Sequence, residues 1–381
     1  MKYRKFGKLA WEASALGFGI MRLPVTDGNS ANIDEAEATR MVRYAIDNGV
    51  NYLDTAYPYH SGQSEAFVGR VLKDGYRKKV RIATKLPVRS VQSAQDFDRY
   101  LNEQLERLQT NIDFYLFHDL SRWGWQRMKE YGILKWAEEK MAEGKFANLG
   151  FSFHDDYDAF KEIIDDYDNW TLAQIQYNYM DINFQAGQRG LEYAAGKGLA
   201  VVIMEPLRGG RLTKEAPGNI KQIWKTASQE RTLADWGLSW VWNHPEISVV
   251  LSGMSTMEQI TENLDIADRV GVNTLTPDDI ATIAKVRAAY NGLSPVPCTG
   301  CEYCLPCPNG VAIPGIFTLY NDALIYDNPN QSQVRYRNVD FIKKENRADQ
   351  CLECGECIEA CPQKIPIPEF LEKAHTLLKE L

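Results

Sequence analysis

All eight cysteines of this 381-residue chain lie between Cys298 and Cys361. They form two runs, Cys298-x-x-Cys301-x-x-Cys304-x-x-Cys307-Pro and Cys351-x-x-Cys354-x-x-Cys357-x-x-x-Cys361-Pro. Three thiolates at this short spacing can wrap one side of an iron–sulfur cube, while the fourth ligand arrives from elsewhere in the chain. Two runs of four exceed the ligands that one structural zinc ion needs, and disulfides are rare in cytoplasmic proteins. The spacing therefore predicts two 4Fe–4S clusters.

The cysteine runs indicate a separate C-terminal domain. The first 297 residues contain no cysteine, and a stretch at 291–297 that is rich in glycine and proline precedes the runs. We therefore expect a first domain over residues 1–290 and a cluster domain over residues 291–381. Helical sequence at 314–326 and 368–381 predicts that the second domain is small and mainly helical.

Both runs end in Cys-Pro and resemble those of two-cluster bacterial ferredoxins, in which the fourth cysteine of each run binds the other cluster. The resemblance implies two crossed ligand sets, Cys298, Cys301, Cys304 and Cys361 on one cluster and Cys351, Cys354, Cys357 and Cys307 on the other. The first run departs from the pattern, because two residues rather than three precede its last cysteine. The 43 residues between the runs exceed a minimal ferredoxin spacer, so a helical dicluster variant is expected.

Four ionisable residues in the first domain could form a second reactive site. Asp54, Tyr59, Lys85 and His118 lie at or just after the ends of three successive predicted strands. A tyrosine hydroxyl beside a lysine ammonium and an imidazole is expected to be a general acid with a lowered pKa. Asp54 would hold and neutralise Lys85, and His118 would orient a substrate carbonyl group.

The elements that position these residues alternate between strands and helices over about 290 residues. The predicted strands lie at 15–19, 52–56, 80–86, 112–118, 146–153, 172–178, 199–205 and 248–254. Eight such strands predict a parallel (β/α)8 TIM barrel, whose reactive groups gather where the strands end. A doubly wound sheet is the alternative, although no Gly-x-Gly-x-x-Gly turn follows an early strand. Residues 208–228 are expected to be an irregular, mobile cover over the barrel mouth.

The motifs of the first domain resemble those of the aldo-keto reductase family. They are Asp54-Thr-Ala-Tyr-Pro-Tyr59-His-Ser-Gly-Gln-Ser-Glu65, Ile82-Ala-Thr-Lys85 and Tyr115-Leu-Phe-His118. The resemblance covers residues 1–290 and implies a (β/α)8 barrel that reduces aldehydes and ketones with a nicotinamide cofactor. It also implies that Tyr59, rather than Tyr57, is the general acid.

The same resemblance implies a set of cofactor-binding positions. They are Ser152, Gln174, Met204, Glu205, Leu207, Arg208, Arg211, Gly253, Ser255, Gln259 and Asn263. Phe153 stands where the family usually has asparagine, and Gly253 and Gln259 replace the basic residues that bind the 2′-phosphate of NADP. The choice between NADP and NAD is therefore open, with Arg208, Arg211 or Lys214 as alternative phosphate ligands.

Composition limits the partners. The chain has 43 Lys and Arg against 51 Asp and Glu, and the net charge of −8 argues against nucleic acid or an anionic membrane as the main partner. No apolar run is long enough to span a membrane, and the N-terminus lacks the pattern of a secretory signal, so a cytoplasmic protein is expected. The expected partners are a small carbonyl or alcohol substrate and an external one-electron carrier, a ferredoxin or flavodoxin.

Three functions are compatible with these features. The first is a nicotinamide-dependent oxidoreductase that is coupled to electron transfer through two clusters. The second is the same enzyme with structural clusters, and the third is a non-catalytic protein that senses redox state or transfers electrons. A hydride carries two electrons and each cluster carries one, and no flavin signature is visible to mediate between them. The substrate stays open among sugars, steroids, polyols and small ketones.

Overall fold

The computed structural model describes residues 1–298, 304–325, 329–337, 342–361 and 363–380. The chain divides into two compact units, one formed by Met1–Leu212 with Arg231–Leu275 and the other by Thr213–Glu230 with Thr276–Leu381. The predicted domain boundary at residue 290 falls inside a helix, Pro277–Leu293, that belongs wholly to the second unit. That boundary stays a prediction.

The first unit is a closed barrel of eight parallel strands, as the sequence predicts. An antiparallel hairpin of β1 (Tyr3–Lys5) and β2 (Glu12–Ser14) precedes the barrel. The barrel strands are β3 (Leu16–Gly19), β4 (Tyr52–Asp54), β5 (Arg81–Leu86), β6 (Ile112–Leu120), β7 (Phe146–Phe153), β8 (Leu172–Gln176), β9 (Ala200–Met204) and β10 (Ile247–Ser252). They pair in chain order, and β10 closes the barrel between β9 and β3, so the doubly wound alternative is wrong.

The strands all belong to the first unit, whereas both units contain helices. In chain order they are α1 (Glu35–Asp47), α2 (Ser64–Val71), α3 (Gln95–Leu108), α4 (Arg122–Glu130), α5 (Ile133–Ala142), α6 (Tyr157–Asp165), α7 (Gly187–Gly196), α8 (Gly218–Trp224), α9 (Leu233–Trp242), α10 (Met257–Arg269), α11 (Pro277–Leu293), α12 (Ile313–Ile325), α13 (Pro329–Arg337), α14 (Glu356–Ala360) and α15 (Ile367–Lys379). Side-chain caps fix several of their starts, as where Asp34 accepts a hydrogen bond from Glu37 N and Thr276 forms a capping box with Asp279.

An aromatic cluster fills the amino-terminal end of the barrel. The ring of Phe6, which follows β1, lies 4.8 Å from the ring of Phe114 and 5.7 Å from that of Tyr52. These residues belong to one buried cluster with Ala83 and Val249 from other strands. Because apolar side chains occupy this end, polar chemistry is confined to the carboxyl ends of the strands.

The segment 208–228 is more regular than the sequence predicts. It contains α8, and α8 packs on α11 in the second unit. The glycines and prolines around α8 conceal this short helix, because their composition is typical of loops. The prediction that this segment is irregular is therefore wrong, whereas its role as a mobile cover stays a prediction.

Three helices build the core of the second unit. Helices α12, α13 and α15 pack against one another, and the predicted helices at 314–326 and 368–381 correspond to α12 and α15. The buried cluster among them includes Phe317, Tyr336, Leu371 and the thiol-bearing Cys361. At one end of this core, Tyr336 places its hydroxyl 2.8 Å from His375 Nδ1 and accepts a hydrogen bond from the buried Ala348 N–H at 3.0 Å.

We predict that Tyr336→Phe destabilises the second unit by about 1–3 kcal/mol, because it leaves the buried Ala348 N–H without an acceptor while keeping the ring. Urea-induced unfolding of the full-length protein without oxygen would measure the loss. Tyr320→Phe is the matched control, since Tyr320 is also buried but its hydroxyl makes no hydrogen bond within the described residues. Equal stability of the two variants would contradict this role of the Tyr336 hydroxyl.

Candidate active site and cluster-binding site

The four residues predicted for the barrel site lie together at the carboxyl ends of β4, β5 and β6. Lys85 Nζ donates hydrogen bonds to Asp54 Oδ1 and to the Thr55 carbonyl oxygen, each at 2.7 Å. The same ammonium lies 3.5 Å from the Tyr59 hydroxyl. The His118 ring packs edge-on against the Tyr59 ring with centroids 5.9 Å apart. The structure therefore joins all four side chains in one constellation.

Local backbone features aim Tyr59 and His118 into the site. Tyr59 begins a short 3-10 turn that is continued by His60 and Ser61, both with positive φ. His60 holds this turn from behind, because its Nε2 accepts a hydrogen bond from Leu23 N at 3.3 Å. In β6 the register with β7 shifts just after Phe117, so His118 sits at a β-bulge, a device that often re-aims a side chain beside a reactive site.

A buried polar network behind β5 fixes the strand that carries Lys85. Glu65 Oε1 accepts hydrogen bonds from Thr84 Oγ1 and Gln104 Nε2, both at 2.6 Å. Gln104 Nε2 also donates to the Lys85 carbonyl oxygen at 3.0 Å, and Tyr115 donates to Gln104 Oε1 at 2.7 Å. Since Thr84 faces this network, the alternation along β5 directs Lys85 to the barrel interior.

Lys85 is completely buried, so its charge depends on its partners. Burial alone would lower the pKa of the Lys85 ammonium, but Asp54 and Tyr59 together raise that pKa above its ordinary value. Burial raises the pKa of Asp54, and Lys85 opposes the rise. The side chain of Gln174 also favours the carboxylate, without making a hydrogen bond to it. Lys85 is therefore a protonated, fixed cation beside the Tyr59 hydroxyl.

The lowered pKa that the sequence predicts for Tyr59 is wrong for this site. Burial raises the pKa of Tyr59 above its ordinary value, and the nearby Lys85 only partly offsets the rise. The carboxylates of Asp54 and Glu205 add to it. Tyr59 is therefore protonated at neutral pH, which is the form that a proton donor requires.

His118 is neutral in this environment. Burial and the positive charge of Lys85 lower the pKa of His118 to about 3. A neutral imidazole can donate one hydrogen bond to a carbonyl oxygen without competing with Tyr59 as the acid. This agrees with the orienting role predicted for His118.

Two further polar residues, His154 and Gln185, lie near this site, and the sequence predicts neither of them as an acid–base or substrate-binding group. His154 directly follows β7, and a positive charge on His154 would lower the pKa of His118. Gln185 Nε2 lies 3.2 Å from His154 Nδ1, and Gln185 Oε1 is buried without a partner within the described residues. Burial lowers the pKa of His154, so a second neutral imidazole lines the cleft. No sequence motif signals these residues, because the Phe153–His154 pair does not match the family pattern.

Three of the predicted cofactor-binding residues, Ser152, Gln174 and Met204, lie on the inner wall beside Asp54, Tyr59, Lys85 and His118, which together are called the quartet. Ser152 accepts a hydrogen bond from Asp119 N at 2.8 Å, which leaves its hydroxyl proton free to donate. Gln174 Oε1 is buried and has no partner within the described residues, while Gln174 Nε2 lies 3.9 Å from Met204 Sδ. Phe153 points away from this wall and packs on Phe160. An unpaired buried acceptor beside a hydroxyl fits the amide group of a nicotinamide ring.

The candidates after β9 form the next part of the rim. Glu205 and Arg208 both have positive φ. Glu205 lies 3.6 Å from Arg22, and Arg208 Nε lies 3.1 Å from Asp181. Leu207 packs against Gly237 of α9, and Arg211 begins a 3-10 turn. Lys214 belongs to the second unit.

Two of the candidates after β10, Gly253 and Ser255, lie against Arg22, which no sequence motif indicates. A Cβ atom at Gly253 would lie 3.2–3.3 Å from the aliphatic carbons of Arg22, so the arginine covers the place of a side chain at 253. Ser255 Oγ donates to the Arg22 carbonyl oxygen at 2.7 Å. Gln259 Oε1 accepts from Ser255 N, and Asn263 donates to Ser252 Oγ at 3.0 Å, so both organise the loop.

Five cysteines line one cavity of the second unit. They are Cys304, Cys307, Cys351, Cys354 and Cys357. Burial raises the pKa of the Cys357 thiol, and the charges of Cys351, Cys354 and Cys307 raise it further. The four residues of the second predicted ligand set are therefore neighbours, which brings the last cysteine of the first run beside the second run.

The other predicted set is described only in part. Cys361 is buried in the core, and Cys298 and Cys304 pack against the same cluster. Cys301 lies outside the described residues. In the described part of the chain, no three His, Cys, Asp or Glu side chains converge closely enough for a single metal ion. A 4Fe–4S cube is wider than one ion, so its ligands surround a larger space, such as the cavity that the thiols line.

The chain matches two protein-family models. The aldo/keto reductase family matches residues 15–288, and a 4Fe-4S dicluster domain matches residues 297–366. The resemblances drawn from the motifs are thus confirmed, together with a barrel fused to a dicluster domain. Within the described residues, no helix is long and apolar enough to cross a bilayer.

Curated proteins and solved structures are similar to the barrel unit. L-galactose dehydrogenase from Arabidopsis thaliana is 30% identical over an alignment of 284 positions that covers 69% of this chain and 87% of that protein. The 6-dehydroglucose reductase from Novosphingobium aromaticivorans is 26% identical, over 69% of this chain and 89% of its own. The holo form of an aldo-keto reductase from Bacillus halodurans superposes with a TM-score of 0.62 at 26% identity, over 75% of this chain and 96% of that chain.

Proposed function

Because the chain belongs to the aldo/keto reductase family, we propose that it interconverts a carbonyl compound and its alcohol by hydride transfer with a nicotinamide cofactor. The observation that carries this proposal is the buried contact of Lys85 with Asp54 and Tyr59, beside a neutral His118. A structural barrel would gain nothing from three buried ionisable groups around one hydroxyl, because burying charge is costly.

The proposed mechanism assigns one role to each residue. A bound nicotinamide supplies the hydride that reaches the carbonyl carbon. His118 donates a hydrogen bond that orients the carbonyl oxygen, and Tyr59 transfers its proton to that oxygen. Lys85 stabilises the phenolate that remains, and Asp54 keeps the net charge of the pair near zero. Solvent then returns a proton to Tyr59, and the reverse sequence oxidises the alcohol.

We propose that Ser152 and Gln174 hold the nicotinamide carboxamide and that Met204 packs on the ring. The buried, unpaired Oε1 of Gln174 supports this, since it would accept a hydrogen bond from the amide nitrogen. Arg22 and Arg208 are the cations on the rim that would face the cofactor's phosphate groups. Either NADP or NAD fits these residues.

We propose a polyhydroxylated substrate, such as a sugar or a sugar-derived carbonyl. His154, Gln185 and Glu205 add hydrogen-bonding groups around the quartet, which suit a substrate with several hydroxyl groups. The names of L-galactose dehydrogenase and 6-dehydroglucose reductase support the same class. A steroid would instead require a mainly apolar lining.

We propose that the second unit binds two 4Fe–4S clusters with the crossed ligand sets given above. The proximity of Cys307 to Cys351, Cys354 and Cys357 supports the second set. The clusters would exchange electrons with an external one-electron carrier, and two clusters together can hold the two electrons of one hydride. Free thiols that bind iron also favour a reducing, cytoplasmic compartment.

Replacing Tyr59 with Phe is predicted to lower kcat for carbonyl reduction by at least about a hundredfold, because the ring stays while the acidic proton is lost. Steady-state reduction of an aldose or simple aldehyde with NADPH and NADH would measure the effect. NADPH binding, followed by the quenching of tryptophan fluorescence, should keep its Kd. Tyr57→Phe is the matched control, since Tyr57 donates to Glu103 outside the quartet, and similar activity of both variants would refute the assignment.

Replacing Cys354 with Ala is predicted to remove about four of about eight iron atoms, because one cube loses a ligand while the other keeps its own four. Iron analysis of anaerobically purified protein would test this. Leu352→Ala changes an exposed neighbour in the same run and should keep all the iron. Full iron content in the cysteine variant would show that Cys354 is not a ligand.

Addition of NADPH or NADH to the anaerobic protein is predicted to bleach the visible absorbance of the clusters, as each hydride reduces two clusters and releases one proton. Dithionite is the positive control for reducible clusters. Bleaching by dithionite but by neither nicotinamide would contradict the coupling and favour the alternative of an enzyme with structural clusters.

A further inference from the structure

Two exposed leucines lie at the cavity that the cysteines line. Leu352 is 75% exposed and Leu305 is 36% exposed, and both line the cavity together with Cys354 and Glu356. Cys354 is itself exposed. Large apolar side chains at the mouth of a cofactor cavity are typical of a surface that a partner covers.

The two cysteine segments that carry these leucines contain acidic residues and no basic residues. Residues 349–361 carry Asp349, Glu353, Glu356 and Glu359 without any Lys or Arg, and residues 298–310 also contain no Lys or Arg. All four acidic side chains are exposed. Two cations flank residues 349–361 in the sequence. Arg347 Nη2 donates to the Arg337 carbonyl oxygen at 2.8 Å and Lys364 Nζ donates to the Glu359 carbonyl oxygen at 3.1 Å, rather than to a carboxylate of this group.

We propose that this docking face, made of Leu305, Leu352, Glu353, Cys354 and Glu356, binds a one-electron carrier whose contact surface is basic around an apolar centre. The proposal rests on the proposed function, since it requires that the cavity hold a 4Fe–4S cluster. In each encounter a reduced cluster loses one electron and the carrier gains one. Opposite charges would steer the carrier to the exposed Cys354, whereas a carrier with an acidic contact surface would be repelled.

The leucines and the carboxylates are expected to affect different rate constants of carrier binding. The leucines would exclude water at the centre of the contact, which slows dissociation, while the carboxylates at the rim would speed association. Rim charges act mainly on association rates and lose their effect as salt screens them. The ionic-strength dependence of electron transfer is therefore the diagnostic quantity.

The test uses the full chain with both clusters reduced by dithionite under anaerobic conditions and freed of excess reductant. Stopped-flow mixing with ferricytochrome c, a basic haem protein, follows the reduction of the haem. We expect the second-order rate constant to fall by about tenfold or more between low and high ionic strength. Benzoquinone, an uncharged acceptor, should oxidise the clusters at a rate that salt does not change.

The variant Glu353→Gln/Glu356→Gln keeps the shape of the docking face and removes two charges. At low ionic strength it should react with ferricytochrome c about three to ten times more slowly than wild type and show a flatter salt dependence. Its rate with benzoquinone should match wild type, which separates steering from a changed cluster. Glu130→Gln/Glu139→Gln is the matched control, because it removes two exposed charges from barrel helices and should leave both rates unchanged.

Two results would overturn the proposal. One is a cytochrome c rate that is equal in wild type and the Glu353/Glu356 variant at low salt, or that rises with salt, in protein with full iron content. The other is protein without iron, which would remove the cluster assignment as well. Iron analysis before mixing therefore distinguishes failure of the docking face from failure of the proposed cluster function.

Discussion

The ion pair between Lys85 and Asp54 is the interaction on which the barrel site depends. Both groups are withdrawn from water, so each is tolerable only while the other stays in place. The barrel provides that constraint, because β4 and β5 are adjacent parallel strands in fixed register and the network of Glu65 and Gln104 holds β5 from behind. The cost of burying these charges is offset by a cation held in one position beside Tyr59.

Burial determines the protonation states around that cation. It keeps Tyr59 protonated against the pull of Lys85 and keeps His118 neutral, so one group can donate a proton and the other can orient a carbonyl group. Proximity to a cation alone would instead lower the pKa of Tyr59. In the proposed mechanism the site therefore stabilises the phenolate after proton transfer rather than before it.

The second unit differs from the barrel in what would stabilise it. Its apolar core is small, and bound clusters with four thiolate ligands would add to its stability. Cys361 lies inside that core, whereas Cys354 is exposed at its surface. The predicted ligands in the described residues thus differ in their exposure to solvent.

The sequence by itself determined the barrel, the quartet at its strand ends, the dicluster domain and the spacing of its cysteines, because each rests on a short-range pattern. Strand alternation and cysteine spacing are visible in the linear sequence. Only the tertiary structure decided that Arg22 covers Gly253, that His154 joins His118, and that burial raises the pKa of Tyr59. These facts depend on which distant segments meet and on how much water they exclude, and no local pattern records either.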